Sequence, residues 1–227
     1  MSHPAIADGP WQYQVLIGPG ATPRLPPVGP DPVQELIGLA DTVRDEPIVA
    51  ARHSVYAHFG PLFGHAGIES LSREGFEAFA DYRNNLRWRG IGRNSSRVSG
   101  DMPHLRRTLR TVLDESRPLA DRLHWLWPVR GQLPLPGMGP ALLTPILHIG
   151  QPERYGVWNS ASESGLRILG LWPQQLAAPG RAERYLAVNR LLGHLAHETG
   201  IDLWTLDVLL SRVRKSWWLS RTHNGPW

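Results

Sequence analysis

From Asp31 onward the apolar residues recur at three- and four-residue intervals, with Gly or Pro between one stretch and the next. That is the spacing of amphipathic helices, not of strands. Asp31 is placed to cap a helix that has Pro32 at its first position and runs to about residue 44. A second helix is expected over 48–58. Ser72 caps a third over 73–85, where Phe76, Phe79, Ala80 and Arg83 follow i, i+3, i+4, i+7 and the two phenylalanines anchor the buried stripe. Between 101 and 114, Leu105, Leu109, Val112 and Leu113 form one stripe, while Arg106, Arg107 and Arg110 make a separate basic face. Further helices are expected over 118–127, 160–169, 181–199 with Gly200 as terminator, and from 201 to about 217. No adjacent stretches alternate over several residues and no repeat is visible. The pattern predicts an all-α domain of about eight to ten helices over 32–227.

The first 32 residues differ, holding eight Pro and four Gly. This composition cannot sustain a helix, so 1–31 is read as a flexible lead-in with at most one extended piece from Trp11 to Ile17. The 227 residues at 41% hydrophobic content suffice for one sizeable core. No run of eighteen apolar residues occurs, and the chain opens on His, Pro, Asp and Gly instead of a basic then apolar stretch. The expectation is therefore a cytoplasmic protein with no membrane partner.

The absence of cysteine excludes disulfides, thiolate zinc sites, iron–sulfur clusters and a cysteine nucleophile together. Of the 24 basic residues, 23 are Arg and one is Lys215. Arginine's planar fork suits phosphates and stacks on bases, which makes a polyanionic partner plausible. No P-loop, no GxSxG and no dinucleotide-binding glycine pattern is present. His194 and His197 share a helix face, but without HExxH order they make no metal set.

The informative segment is LPLPGMGPALLTPILHIG, residues 133–150. It reads as the turn and second helix of a helical hairpin spanning 118–150. Gly137 and Gly139 permit close backbone approach around Met138, and Pro140 sits where a helix start lacks an N–H partner anyway. The free N–H groups at that start, Ala141 among them, suit a DNA phosphate without reading sequence. Pro145 is expected to kink the second helix.

Twenty residues beyond Gly139 stands Asn159, preceded by Tyr155, Gly156, Val157 and Trp158 and followed by Gly165, Leu166, Arg167, Ile168, Leu169, Gly170 and Leu171. In these features, from about 119 to 172, the chain resembles the helix-hairpin-helix DNA glycosylase superfamily. That resemblance implies a glycosylase-like helical bundle, double-stranded DNA carrying a modified base as partner, and a monomer. Two departures define what kind of member it resembles. Where bifunctional members carry their Schiff-base lysine this chain has Ala141, which implies no lyase activity by that route. Asn159 replaces the family's catalytic aspartate and cannot act as a general base near neutral pH.

Asn159 is left with orienting a water through its carbonyl oxygen, or with capping the helix at Ser160, and the two are compatible. Glu163, one turn along, is the candidate to restore negative charge, with Asp202 and Asp207 behind it. Base flipping needs flat or apolar surfaces, for which Trp158 and Tyr155 are the pocket candidates. Trp88 is the candidate wedge or platform in a basic loop with Arg87, Arg89 and Arg93. Trp125, Trp127, Trp204 and Trp217 fall at helical positions and are assigned to packing. No cofactor is expected beyond a structural monovalent cation at the hairpin. The function implied is hydrolytic excision of a modified base to leave an abasic site. A hypermodified cytosine of phage DNA, such as glucosylated hydroxymethylcytosine, attacked in antiviral defence, is the favoured substrate. Housekeeping repair of damaged bases and non-catalytic reading of modified DNA are the alternatives.

Overall fold

The computed structural model describes residues 31–173 and 180–223. The lead-in expected over 1–31, Asp31 apart, and the extended piece from Trp11 to Ile17 lie outside the described residues. Every regular element among the described residues is helical, and no described helix is long and apolar enough to cross a membrane.

Helix α1 (Pro32–Val43) starts as its sequence dictates, with the Asp31 carboxylate accepting from the Val33 N–H at 3.0 Å and Pro32 at the first position. The single helix expected over 48–58 is two, α2 (Pro47–Ala50) and α3 (Arg52–Phe59), which meet at Ala51. A 3-10 turn (Gly60–Phe63) leads into α4 (His65–Ser70), which the periodicity did not announce because only Ile68 of its six residues is buried. Ser72 caps α5 (Arg73–Ala80) as expected. Asp81 then interrupts the predicted 73–85 helix: its N–H closes α5 while its side chain accepts from the Arg83 N–H and opens α6 (Tyr82–Asn85). An aspartate can cap in this way because its short side chain competes with the helical ladder.

The basic stretch read as a loop contains α7 (Gly92–Val98). With only Val98 buried, it has no amphipathic stripe to betray it and depends on neighbouring chain for its support. Helices α8 (Met102–Val112) and α9 (Leu119–Leu126) follow the predicted stripes. Helix α10 (Pro140–Gly150) is buried on every side from Leu142 to Ile149, and it runs on through Pro145. An apolar run with no polar face belongs at the centre of a fold, and α10 is that centre. Helix α11 (Ser160–Ile168) lies against α13 (Leu203–His223) at Gly165, where an added Cβ would stand 2.5 Å from the Leu210 carbonyl oxygen. Between them in chain order comes α12 (Arg181–Thr199), which ends at Gly200 in the left-handed conformation, φ 67°.

Tyr56, Trp88, His148 and Trp204 pack together below α10. Trp204 stacks on the His148 ring at 6.2 Å between centroids, and Trp88 meets that ring edge-on at 5.8 Å. His148 Nδ1 lies 2.7 Å from the Tyr155 carbonyl, which can only accept, so the proton sits on Nδ1. Nε2 is therefore the acceptor for the Tyr56 hydroxyl at 2.8 Å. Burial pushes the His148 pKa below its usual value; the Tyr155 carbonyl and the carboxylates of Asp207 and Asp202 oppose that shift, and the Arg87 charge adds to it.

A neutral imidazole held this way makes folding pH-dependent. Above about 6.5, the ordinary unfolded value, both states are uncharged. Below it the unfolded chain takes up a proton that the folded chain refuses, so stability falls as pH drops toward the folded pKa. Melting temperature measured from about pH 7.5 to 5.5 should decline below about 6.5, and His148→Gln should flatten that slope.

Candidate functional site

The connection between α9 and α10, residues 127–139, ends in a turn at its two glycines. Gly137 has φ 102°, a conformation open to glycine, and a Cβ there would press on Val98 at 3.1 Å. The Met138 side chain is fully buried, and its carbonyl accepts the Trp127 indole N–H at 2.7 Å. Met138 thus serves the hairpin by holding it to α9, and only its backbone is placed to meet a ligand. Gly139 caps α10, and the Ala141 N–H beyond it has no acceptor among the described residues. That N–H points outward from a helix start, where partial positive charge accumulates. The carbonyls of Leu135, Gly137 and Met138 each accept a protein N–H.

Helix α7 carries cations to this turn. Gly137 packs against Val98, Arg97 and Asn94, which places the exposed Arg93 and Arg97 beside the hairpin. Arg97 is the residue that sequence reasoning passed over. It lay in the basic stretch, but only the turn of α7 shows which arginines share a side with Gly137. Arg89 is exposed as well, with its guanidinium over the Tyr82 ring at 4.3 Å from the centroid.

Two residues of that basic stretch correct the sequence reading. Trp88 is 4% exposed, and its indole N–H donates to Asp207 at 3.1 Å. It is a core residue, unavailable as a wedge or platform. Arg87 pairs with the same Asp207 carboxylate at 2.8 Å and donates to the Ser211 hydroxyl at 2.7 Å. It ties its loop to α13 and offers no charge to DNA. Asp207 is thereby excluded as an assisting carboxylate, being enclosed by Arg87 and Trp88. Asp202 accepts from the Thr205 N–H at the start of α13 and pairs with Arg52 at 3.2 Å.

Tyr155 to Trp158 is a short irregular segment fastened on three sides. Thr144, on α10, accepts the Trp158 N–H at 2.9 Å. Asn189, on α12, accepts the Gly156 N–H at 2.7 Å, and the Tyr185 hydroxyl donates to the Gly156 carbonyl at 2.9 Å. Gly156 has no room for a side chain, since a Cβ would meet Leu192 at 2.5 Å. From the side of α9, Arg122 donates to the Tyr155 hydroxyl at 2.8 Å, and that hydroxyl donates to Glu115 at 2.7 Å. Burial, and then the Glu115 carboxylate, raise the Tyr155 pKa. Tyr155 is a buried tie and not a pocket wall.

This segment delivers Asn159 to the start of α11, where the side-chain oxygen accepts from the N–H groups of Ala161 at 2.7 Å and Ser162 at 3.1 Å. The Ser162 hydroxyl in turn accepts the Asn159 N–H at 2.9 Å, completing a capping box. An amide oxygen has two lone pairs, and both are committed. The expected water-orienting role for that oxygen is therefore closed while the cap holds. What the amide presents outward is its NH2, a donor. Glu163 accepts from the Trp158 indole at 3.1 Å and from Arg167 at 2.7 Å, so its charge is spent on a surface pair. Trp158 is buried, facing Trp172 at 6.2 Å and with Arg184 over its ring.

The structure thus brings Gly137, Gly139, Ala141, Arg93 and Arg97 to one turn and Asn159, Trp158 and Glu163 to one helix start. Thr144 joins the two. Among the described residues, no three His, Asp or Glu side chains gather as metal ligands. No family model, no curated protein and no solved structure matches this chain, so its functional reading rests on its own residues.

Proposed function

We propose that the protein is a monofunctional DNA glycosylase, a monomer acting on double-stranded DNA, that excises a modified base and leaves an abasic site. The observation that carries this reading is the joining of two helix starts by Thr144: the hairpin start of α10, with its unpartnered Ala141 N–H, and the start of α11 at Asn159. The hairpin and the neighbouring Arg93 and Arg97 supply phosphate contacts independent of sequence. The flipped nucleotide meets Asn159 at the start of α11.

With its oxygen bound in the cap, Asn159 contributes its NH2, which donates to a lone pair of the attacking water and holds that water near the sugar carbon. The glycosidic bond breaks with its electron pair passing to the base, the water oxygen bonds to the sugar, and the surplus proton leaves with the base. No lysine stands at the hairpin to divert the sugar into a Schiff base. The substrate class is a hypermodified cytosine, such as glucosylated hydroxymethylcytosine of phage DNA, and the setting is antiviral defence.

A second reading is supported by one observation. The Asn159 oxygen and the Glu163 carboxylate are both spoken for, as suits a non-catalytic reader of modified DNA. Mass spectrometry separates the two. The protein is incubated with oxidised, deaminated and alkylated duplexes and with phage DNA containing substituted cytosines. Release of the free hypermodified base, with no borohydride-trapped adduct, is the expected result. Selective binding with no base released assigns the protein as a reader.

A further inference from the structure

Helices α8 and α9 border an open depression of about 370 Å³, lined by His104, Arg107, Thr108, Arg110, Thr111 and Trp125. Trp125 corrects the sequence reading, which placed it in the packing. It is 39% exposed, whereas Trp127 and Trp204 are buried as expected. Leu119, Leu123 and Leu126 form the inward stripe of α9, and Trp125 stands about 100° around the helix from Leu126. Trp88, Trp158 and Trp172 are buried as well, and the Trp217 side chain, also expected in the packing, lies outside the described residues.

The surrounding chemistry is specific. Arg107 is exposed with no acidic partner among the described residues, and Arg110 pairs with Glu69 at 3.2 Å while half exposed. Thr111 spends its hydroxyl on the Arg107 carbonyl at 3.1 Å. Thr108 is fully buried, and its hydroxyl has no hydrogen-bond partner. A buried hydroxyl left unpaired is uncommon and costs stability. Thr108 belongs to the lining of the depression.

We infer that this depression binds a nucleotide unit, with the base stacked on the Trp125 indole and the phosphate held by Arg107 and Arg110 over Thr108. A flat aromatic face beside guanidinium groups is the recognition chemistry of a single nucleic-acid strand, and a free nucleotide shares it. This surface shares no residue with the glycine turn or the start of α11, and the inference stands whether or not the protein excises bases.

Fluorescence anisotropy of a labelled single-stranded oligo(dT), titrated with the full chain, tests it. Trp125→Ala should weaken binding by about tenfold and Trp125→Phe should restore most of the loss, because stacking is sequence-tolerant and needs only a ring. Arg107→Gln should weaken binding severalfold and lower its salt dependence. Arg44→Gln, at the end of α1 and paired there with Asp41, should leave it unchanged. Displacement of the probe by dTMP identifies a free nucleotide as a sufficient occupant, and displacement by unlabelled strand alone identifies the strand; either supports the site. Unchanged affinity in both Trp125→Ala and Arg107→Gln, or equal displacement by polyglutamate, overturns it.

Discussion

Asn159→Ser should abolish base release while leaving the folded protein as stable as the parent. Serine caps a helix about as well as asparagine, so the N–H groups of Ala161 and Ser162 keep an acceptor. What serine removes is the NH2. That donor positions the attacking water, and misplacing a reacting group costs on the order of 100-fold in rate. Asn159→Ala removes both functions, and should also cost about 1 kcal/mol through the lost cap. Asn159→Asp retains the cap and places a second carboxylate oxygen where the NH2 stood, so release should persist or rise. Single-turnover base release alongside thermal melting reads both effects. A serine variant that releases base at the parental rate removes Asn159 from the chemistry and leaves it a cap.

The second large effect is on stability and is asymmetric across one ion pair. Arg122 is 1% exposed, donating to Glu115 at 2.8 Å, to the Val112 carbonyl at 2.9 Å and to the Tyr155 hydroxyl. Glu115 lies nearer solvent and also pairs with Arg154. Glu115→Ala strands the guanidinium in the interior without a counter-charge, and should cost about 3–5 kcal/mol. In a chain of this size that is a fall in melting temperature on the order of 10 °C. Arg122→Met exchanges the buried charge for an apolar chain of similar reach and leaves Glu115 with water and Arg154, so it should cost much less. The double variant should recover most of the Glu115→Ala loss. Equal losses in both single variants would show that Arg122 matters through its packing and not its charge.

These ties explain how the site is built. Tyr155 precedes Asn159 by four residues, and its hydroxyl is fixed by Arg122 and Glu115 from chain more than thirty positions earlier. The Glu115→Ala loss should therefore come with a loosened capping box.

Much of the architecture was legible in the residues because it depends on local physics. The caps at Asp31, Ser72 and Asn159, the stop at Gly200 and the stripes of α8 and α9 follow from side chains acting within a turn or two. The hairpin turn was equally local, since Gly137 needs a backbone conformation that few other residues adopt. The breaks at Ala51 and Asp81 and the short helices α4 and α7 escaped that reading, because four to eight residues carry too little periodicity to distinguish helix from loop.

The sequence by itself determined the helical character of the described residues, the glycine turn before α10, and the twenty-residue interval that puts Asn159 at a helix start. Only the tertiary structure decided which aromatics and charges are available to a ligand. It buried Trp88 and Arg87 against Asp207, exposed Trp125, brought Arg97 to Gly137 and committed the Asn159 oxygen to its cap. The physical reason is that helix formation is decided by neighbours along the chain, whereas exposure and pairing are decided by partners that arrive from far along it.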